Sequence, residues 1–184
     1  MRNTCIVALG AIALVSAGAC KSAPVTNDGS IHAVAYLLDS LGKEDGIVRL
    51  TESPGMNGVL VQISVKQGAT PGQHGFHFHS VGSCAPANKF AAAGGHFNPA
   101  GKKHGLFAAD GPHAGDHEAL TVDEFRHASY ENVDRLITLS PGPNSLLDAD
   151  GSSIVLHAHP DDQRTDPSGD TGERIACGVI VRLP

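Results

Sequence analysis

Closely spaced histidines are the chemically most distinctive feature of this chain, which has 11 of them among 184 residues. The run 75–79 reads Gly-Phe-His-Phe-His. On a β-strand, His77 and His79 project from one face, while Phe76 and Phe78 project from the other and can anchor the strand in a core. With a rise of about 3.3 Å per residue, the two histidine Cα atoms lie about 6–7 Å apart, so both imidazoles can bind one metal ion. Alone, the pattern also fits a half-exposed strand with incidental histidines.

A second group of potential ligands lies in the glycine-rich segment 94–116. It contains His96, His104, His113 and Asp116. Three imidazoles and one carboxylate satisfy four-coordinate zinc and leave no open position for catalysis. The segment has little apolar content of its own, so a bound metal ion is a way to order it.

A further histidine ends the apolar run 153–157. On a strand, Ile154 and Leu156 face one way and His157 faces the other. His157 is therefore a candidate third or fourth ligand for the metal ion of the first pair.

Short alternating stretches separated by turn residues must position these side chains. Predicted strands cover residues 31–38, 46–51, 59–66, 135–139, 153–157 and 175–183. Many short strands with Gly- and Pro-rich turns between them predict an all-β sandwich or barrel. Two long segments, 80–118 and 159–174, do not alternate, and loops of this length are uncommon unless they are functional.

Composition limits the class of protein. Hydrophobic residues make up 41% of the chain, enough for one core, and the length suggests one domain. Aromatic residues make up only 4%, so aliphatic side chains must fill that core. The formal net charge of −6 argues against a nucleic-acid partner, because phosphate binding needs net or clustered positive charge.

The N-terminus has the layout of a secretory signal peptide, with Arg2, an apolar run over 6–15, small residues and Cys20. The apolar run is too short to span a bilayer. We predict a signal peptide over 1–19, a polar linker over 20–30 and one domain over 31–184, exported to the periplasm or cell envelope. The sequence around Cys20 also resembles a bacterial lipoprotein cleavage box, so lipidation of Cys20 with membrane attachment and plain cleavage nearby remain alternatives.

The histidine groups and the segment 174–180 (Arg-Ile-Ala-Cys-Gly-Val-Ile) resemble the copper/zinc superoxide dismutase family, exported bacterial type, from about residue 31 onward. The resemblance implies an eight-stranded antiparallel Greek-key β-barrel, an immunoglobulin-like sandwich, with long metal-binding and electrostatic loops. It implies copper bound by His77, His79, His96 and His157, and zinc bound by His96, His104, His113 and Asp116, with His96 bridging both metals.

The same resemblance assigns roles to four further side chains. It implies an intrasubunit disulfide between Cys84 and Cys177, which the predicted oxidising compartment also favours. It implies that Arg174 receives the anionic substrate beside copper. It also implies that Asp161 links a copper-binding histidine to a zinc-binding one.

Two features depart from the family pattern. The stretch 163–173, which replaces the electrostatic loop, is short, and Arg164 is its only basic residue. The usual guiding charges are therefore absent from it. His117 directly follows Asp116, where an apolar residue is usual, and we expect it not to be a ligand. We expect the remaining histidines to pack or to lie at the surface, namely His32, His74, His127 and His159.

The resemblance implies disproportionation of superoxide to oxygen and hydrogen peroxide by copper redox cycling, which protects the cell envelope. A copper-buffering or copper-delivery protein remains an alternative, although the sequence offers no thiol pair for copper transfer beyond the disulfide candidates. A structural zinc protein is a third alternative, but it would not need His77, His79 and His157. Monomer and homodimer both remain open.

Overall fold

The computed structural model describes residues 28–184, which contain ten β-strands and one short 3-10 helix. The predicted signal peptide and Cys20 lie outside the described residues. The strands are β1 (Ile31–Asp39), β2 (Glu44–Glu52), β3 (Val59–Val65), β4 (Gly72–His74), β5 (Phe76–His79), β6 (Leu120–Val122), β7 (Ala128–Asp134), β8 (Ser153–His157), β9 (Arg174–Val179) and β10 (Val181–Arg182), and the 3-10 helix is Ala91–Ala93. None of the helical structure in residues 28–184 is long and apolar enough to cross a membrane.

The strands form a curled antiparallel sheet in the order β5-β8-β9-β1-β2-β3-β7, while β10 pairs with β1 and β4 pairs with β6. One edge of β1 pairs with β2, and the other pairs with β10 through Val34 and with β9 through Leu38. Gly75 alone separates β4 from β5, and Ile180 alone separates β9 from β10. Counting each of these pairs as one interrupted strand leaves eight. The predicted all-β antiparallel fold is confirmed.

Alternating side chains build the core inside this sheet. In β3, the odd-numbered residues from Val59 to Val65 are buried and those between them are half-buried, as expected for a strand with one face on a core. Each fully buried aliphatic side chain stabilises the fold by about 1.5–3 kcal/mol. Phe76 and Phe78 are also buried, so the strand that carries the first histidine pair is anchored in this core.

The strand predicted over 135–139 is wrong. The strand that pairs with β3 is β7, which ends just before this segment. Ile137 and Leu139 are buried, so the alternation correctly indicated burial. However, the backbone N–H groups of Leu139 and Ser140 donate to Glu52 Oε2, at 2.6 Å and 2.7 Å. A carboxylate from β2 therefore holds an irregular segment against the core. Alternation also misses β7 itself, and it misses β4 and β6, which are only three residues long.

Candidate metal centre

Two paired strands and one long loop carry the seven predicted ligands. β5 carries His77 and His79, and β8, its ladder partner, ends at His157. The other four ligands project from the segment between β5 and β6, residues 80–119, which we call the ligand loop. The segment between β8 and β9, residues 158–173, is called the short loop.

Backbone contacts fasten the ligand loop to β5. The Phe97 N–H donates to the Phe78 carbonyl at 2.8 Å, and the Phe78 N–H donates to the Gly115 carbonyl at 3.0 Å. A Cβ atom on Gly115 would lie 2.4 Å from the Phe78 carbonyl oxygen, so this close approach requires glycine. These contacts bring the neighbouring residues His96 and Asp116 beside the β5 histidines.

The first group comprises His77, His79, His96 and His157, whose ligand atoms lie within 4.8 Å of one another. Nδ1 of His77 and Nε2 of the other three are buried without a hydrogen-bond partner among the described residues. Burial and the nearby His77 and His96 lower the pKa of His157 to about 2. Burial likewise lowers the pKa of His96 to about 4. Neutral imidazoles with free lone pairs can bind copper, so this group fits a copper ion.

The second group is centred on the carboxylate of Asp116. Its Oδ1 atom lies 2.9 Å from His96 Nδ1 and 3.1 Å from His104 Nδ1. His113 Nδ1 lies 3.3 Å from the same oxygen. The Oδ2 atom accepts hydrogen bonds from the backbone N–H groups of Gly105 and His113, at 2.8 Å and 3.0 Å, which fix the carboxylate plane. Three imidazoles and one carboxylate converge here, and this donor set fits zinc.

Charges in the second group are strongly coupled. Burial opposes ionisation of Asp116, but hydrogen bonds from His104, His113 and His96 hold its pKa far below the usual range. Burial also opposes a charge on His104, yet hydrogen bonds to Asp116 and Asp161 raise its pKa to about 9. Metal binding at such a site displaces protons from the ligands and therefore depends on pH.

One imidazole and one carboxylate connect the two groups. His96 belongs to both, since its Nδ1 faces Asp116 and its Nε2 belongs to the first group. Its ring stacks on His77, with ring centroids 3.9 Å apart. Asp161 accepts from His77 Nε2 at 2.6 Å through one oxygen and from His104 Nε2 at 3.1 Å through the other. Each ring is thereby left with its Nδ1 atom for a metal ion.

Arg174, at the start of β9, lies beside the first group. Its Nη1 donates to the Phe90 carbonyl at 2.8 Å and its Nη2 to the Gly94 carbonyl at 2.6 Å, so the half-buried guanidinium has one orientation. It lines an open cavity of about 380 Å³, which is also lined by His79, His96 and His157. A fixed positive charge beside these imidazoles can bind a small anion.

Cys84 and Cys177 form the predicted disulfide, with Cα atoms 5.5 Å apart. The bond joins the ligand loop to β9, the strand that begins with Arg174. Phe90 and Val155 pack with Cys177 in a small cluster separate from the main core. The same link therefore stabilises the segment whose carbonyl groups orient the guanidinium.

Two buried histidines lie outside both groups. The ring of His117 stacks on Phe76 with centroids 4.9 Å apart, and its Nε2 atom lies 3.6 Å from Asp134 Oδ2. The ring nitrogens of His74 each contact a carbonyl oxygen at 2.8 Å, one from Thr70 and one from His157. Both histidines pack within the fold, as the sequence predicted for His74.

Sequence reasoning missed three groups that contact the site. Two are the carbonyls of Phe90 and Gly94, which hold Arg174. Every residue has a carbonyl, so no residue type could mark them. The third is the hydroxyl of Thr171, which lies 3.1 Å from His157 Nδ1. A threonine near a glycine-rich turn carries no distinctive signal.

Comparison with known proteins agrees with this geometry. A family model described as copper/zinc superoxide dismutase matches residues 44–180. Superoxide dismutase (Cu-Zn) 2 of Aquifex aeolicus is 39% identical over 160 residues, which are 86% of this chain and 91% of that protein. The Cu-Zn superoxide dismutase of Caulobacter vibrioides is 44% identical over 142 residues, 76% of this chain and 79% of that one. The crystal structure of a SOD-like protein from Bacillus subtilis, 34% identical, superposes with a TM-score of 0.75 over 80% of this chain and 97% of that chain. The chain therefore belongs to the copper/zinc superoxide dismutase family.

Proposed function

We propose that this protein converts two superoxide anions and two protons into oxygen and hydrogen peroxide, using copper in the first group and zinc in the second. One observation carries the proposal. Four buried imidazole nitrogens without a hydrogen-bond partner in residues 28–184 lie together beside Arg174 and an open cavity, and their group shares His96 with a group that contains a carboxylate. A structural zinc site would need only the second group.

The donor sets support this division of metals. A set of four imidazoles beside an open cavity suits copper, whereas three imidazoles and a carboxylate complete the coordination of zinc. Bound copper supplies one-electron redox chemistry, and bound zinc supplies a fixed positive charge that polarises its ligands. Binding, orientation and proton supply belong to the side chains of this chain.

Arg174 binds and orients the anion. Its guanidinium is charged at every physiological pH. The carbonyl groups of Phe90 and Gly94 each take one of its five N–H donors, so further donors remain for an anion in the cavity. Because the guanidinium is already oriented, little side-chain entropy is lost when superoxide arrives.

His96 Nε2 could accept a proton and pass it on only while copper is not bound to that atom, because one lone pair serves both. Its Nδ1 atom is engaged by Asp116 at 2.9 Å, so the ring stays in place while Nε2 gains and loses a proton. His96 also lines the cavity that Arg174 lines. A proton taken up transiently at Nε2 would then be delivered beside the cavity where the peroxide forms, which is the requirement for general acid catalysis.

Superoxide turnover measured beside metal content tests the proposal. Protein with one copper and one zinc per chain should consume superoxide catalytically. Arg174→Ala should keep both metals but lower turnover by about 10- to 150-fold, the loss expected for a charged contact of about 1.5–3 kcal/mol. Arg182→Ala, on exposed β10, is the matched control and should keep the parent rate. Full copper occupancy without turnover would favour a copper-buffering protein instead.

We also propose export to the periplasm or cell envelope, where the enzyme would remove superoxide. The N-terminal sequence supports export, and a disulfide is typical of an oxidising compartment. Mass spectrometry of the native protein should find a chain that begins near Cys20, and a diacylglycerol adduct would identify a lipid anchor. A chain that retains Met1 would contradict export.

A further inference from the structure

Thr171, in the short loop, has a relative exposure of only 1% and a fully engaged hydroxyl group. Its Oγ1 atom lies 3.1 Å from His157 Nδ1 and donates to the Ser168 carbonyl at 2.9 Å. Its own carbonyl accepts from the His159 N–H at 2.9 Å. Side chain and backbone therefore hold this residue against the end of β8.

The hydrogen-bond directions at Thr171 follow from its chemistry. A hydroxyl has a single proton, and the Ser168 carbonyl takes it because a carbonyl oxygen can only accept. The hydroxyl therefore accepts from His157 Nδ1–H. His157 thus carries its proton on Nδ1, and the lone pair lies on Nε2, the buried atom that belongs to the first group.

The methyl group of Thr171 adds a steric constraint. A Cβ atom on Gly75 would lie 2.5 Å from Thr171 Cγ2, so the methyl group occupies the space that the missing side chain leaves. Gly75 is itself tied to β8, because its carbonyl accepts from the His157 N–H at 2.9 Å. Thr171 therefore contacts both the ring of His157 and the residue that pairs with its backbone.

We infer that Thr171 is a positioning residue, which selects the tautomer and orientation of His157 and thereby tunes copper binding. The inference rests on the proposed function, in which His157 binds copper. Thr171 itself touches neither metal nor substrate. Its contact makes the short loop part of the copper site, although the loop contributes no side chain to the first group.

Thr171→Val and Thr171→Ser test this role separately from packing. Valine keeps the shape and loses the hydroxyl, and serine keeps the hydroxyl and loses the methyl. With zinc bound, Thr171→Val should weaken copper binding at least about tenfold in competition with a chelator, the loss expected when a hydrogen-bond partner of a ligating histidine is removed. Its cupric EPR spectrum should also shift. Thr171→Ser should keep the copper affinity and the cupric EPR spectrum of the parent. Zinc affinity should stay at the parent value in each variant.

A matched control comes from the same loop. Thr165→Val removes an exposed hydroxyl that donates to Asp162 and contacts neither metal group, so copper affinity and spectrum should not change. The inference would be overturned if Thr171→Val left both the copper affinity and the cupric EPR spectrum unaltered. Equal loss in the serine and valine variants would also overturn it, because packing would then be the cause.

A measurement on the parent protein needs no variant. In zinc-loaded protein with its copper in the cuprous state, NMR should show an imidazole proton on His157 Nδ1 that exchanges slowly with solvent. The absence of this proton would overturn the inference. Neither readout depends on turnover. A parent that binds copper without dismutating superoxide would refute the proposed function and leave Thr171 testable, whereas a parent that binds no copper would refute both.

Discussion

The ligand loop and the short loop contribute to the metal centre in different ways. The ligand loop supplies four of the seven predicted ligands, His96, His104, His113 and Asp116. The short loop supplies none of the seven, yet its Asp161 and Thr171 contact three of the ligands, His77, His104 and His157. One loop provides donor atoms, and the other provides hydrogen-bond partners for three of the imidazoles. Residue types therefore indicate where metal ions could bind, while hydrogen-bond partners orient the candidate ligands.

The two loops are also held by different means. The ligand loop is fastened covalently by the disulfide and by backbone hydrogen bonds to β5. Side chains fasten the short loop to the ligand loop. Gln163 accepts from the Leu106 N–H at 3.1 Å and donates to the His117 carbonyl at 2.8 Å. Asp166 accepts from the His104 N–H at 2.9 Å. A change in the short loop should therefore reach the metals through the ligand loop as well as directly.

Removing a donor from the ligand loop should have the largest effect. His104→Ala deletes one of four zinc donors and none of the first group, so zinc should be lost while copper stays bound. Elemental analysis after separate reconstitution with each metal measures this. His127→Ala, at the exposed surface, should retain both metals. Complete loss of both metals from a folded His104→Ala protein would contradict the division into two groups.

Removing the disulfide should have the next largest effect. Replacing Cys84 and Cys177 together by serine should lower the free energy of unfolding by about 2–5 kcal/mol, measured by denaturant titration of the metal-loaded protein. Turnover should also fall, because the disulfide stabilises the segment that orients Arg174. Free-thiol counting on the denatured, unreduced parent should find neither cysteine. An unchanged unfolding free energy in the double variant would show that packing alone holds the loop.

Asp161→Asn should weaken both metals, because Asp161 contacts a histidine from each group. Loss of such a partner typically costs about 10- to 100-fold in metal affinity, to be measured by chelator competition for copper and zinc separately. The neighbouring Asp162, which is exposed and accepts from backbone N–H groups within the short loop, provides the control variant Asp162→Asn. If only one metal were weakened, Asp161 would serve a single group rather than connecting two.

Ionic strength should have the smallest effect. Lys103 pairs with Asp166 at 2.8 Å, Lys89 pairs with Glu173, and Arg164 lies over the Phe107 ring at 5.9 Å. Two lysines of the ligand loop are thus each paired with a carboxylate, and Arg164 is the only Lys or Arg of the short loop, so long-range attraction of anions toward Arg174 should be weak. Turnover should fall less than about twofold as salt rises from about 0.01 to 0.2 M, where the Debye length shortens several-fold. A tenfold fall in stopped-flow turnover would reveal steering by charges outside the short loop.

Side-chain alternation predicted the strands well where one face packs on the core. The predicted strand 59–66 corresponds to β3, and 31–38 corresponds to β1. The failure at 135–139 is instructive, because Ile137 and Leu139 are buried as the alternation indicated. Alternation indicates which side chains are buried, but it does not indicate where the backbone hydrogen bonds go. Here Glu52, more than 80 residues earlier in the chain, accepts the hydrogen bonds of two backbone N–H groups.

The sequence by itself determined which donor atoms are available and at what spacing, because imidazole, carboxylate and thiol chemistry belongs to residue types. The seven predicted ligands, Arg174 and the cysteine pair could all be named from it. Tertiary structure alone decided that two carbonyls hold Arg174 and that Thr171 contacts His157. Carbonyl groups are the same at every position, and the two nitrogens of an imidazole differ only in what surrounds them. Their roles therefore arise when the fold brings distant segments within hydrogen-bond distance.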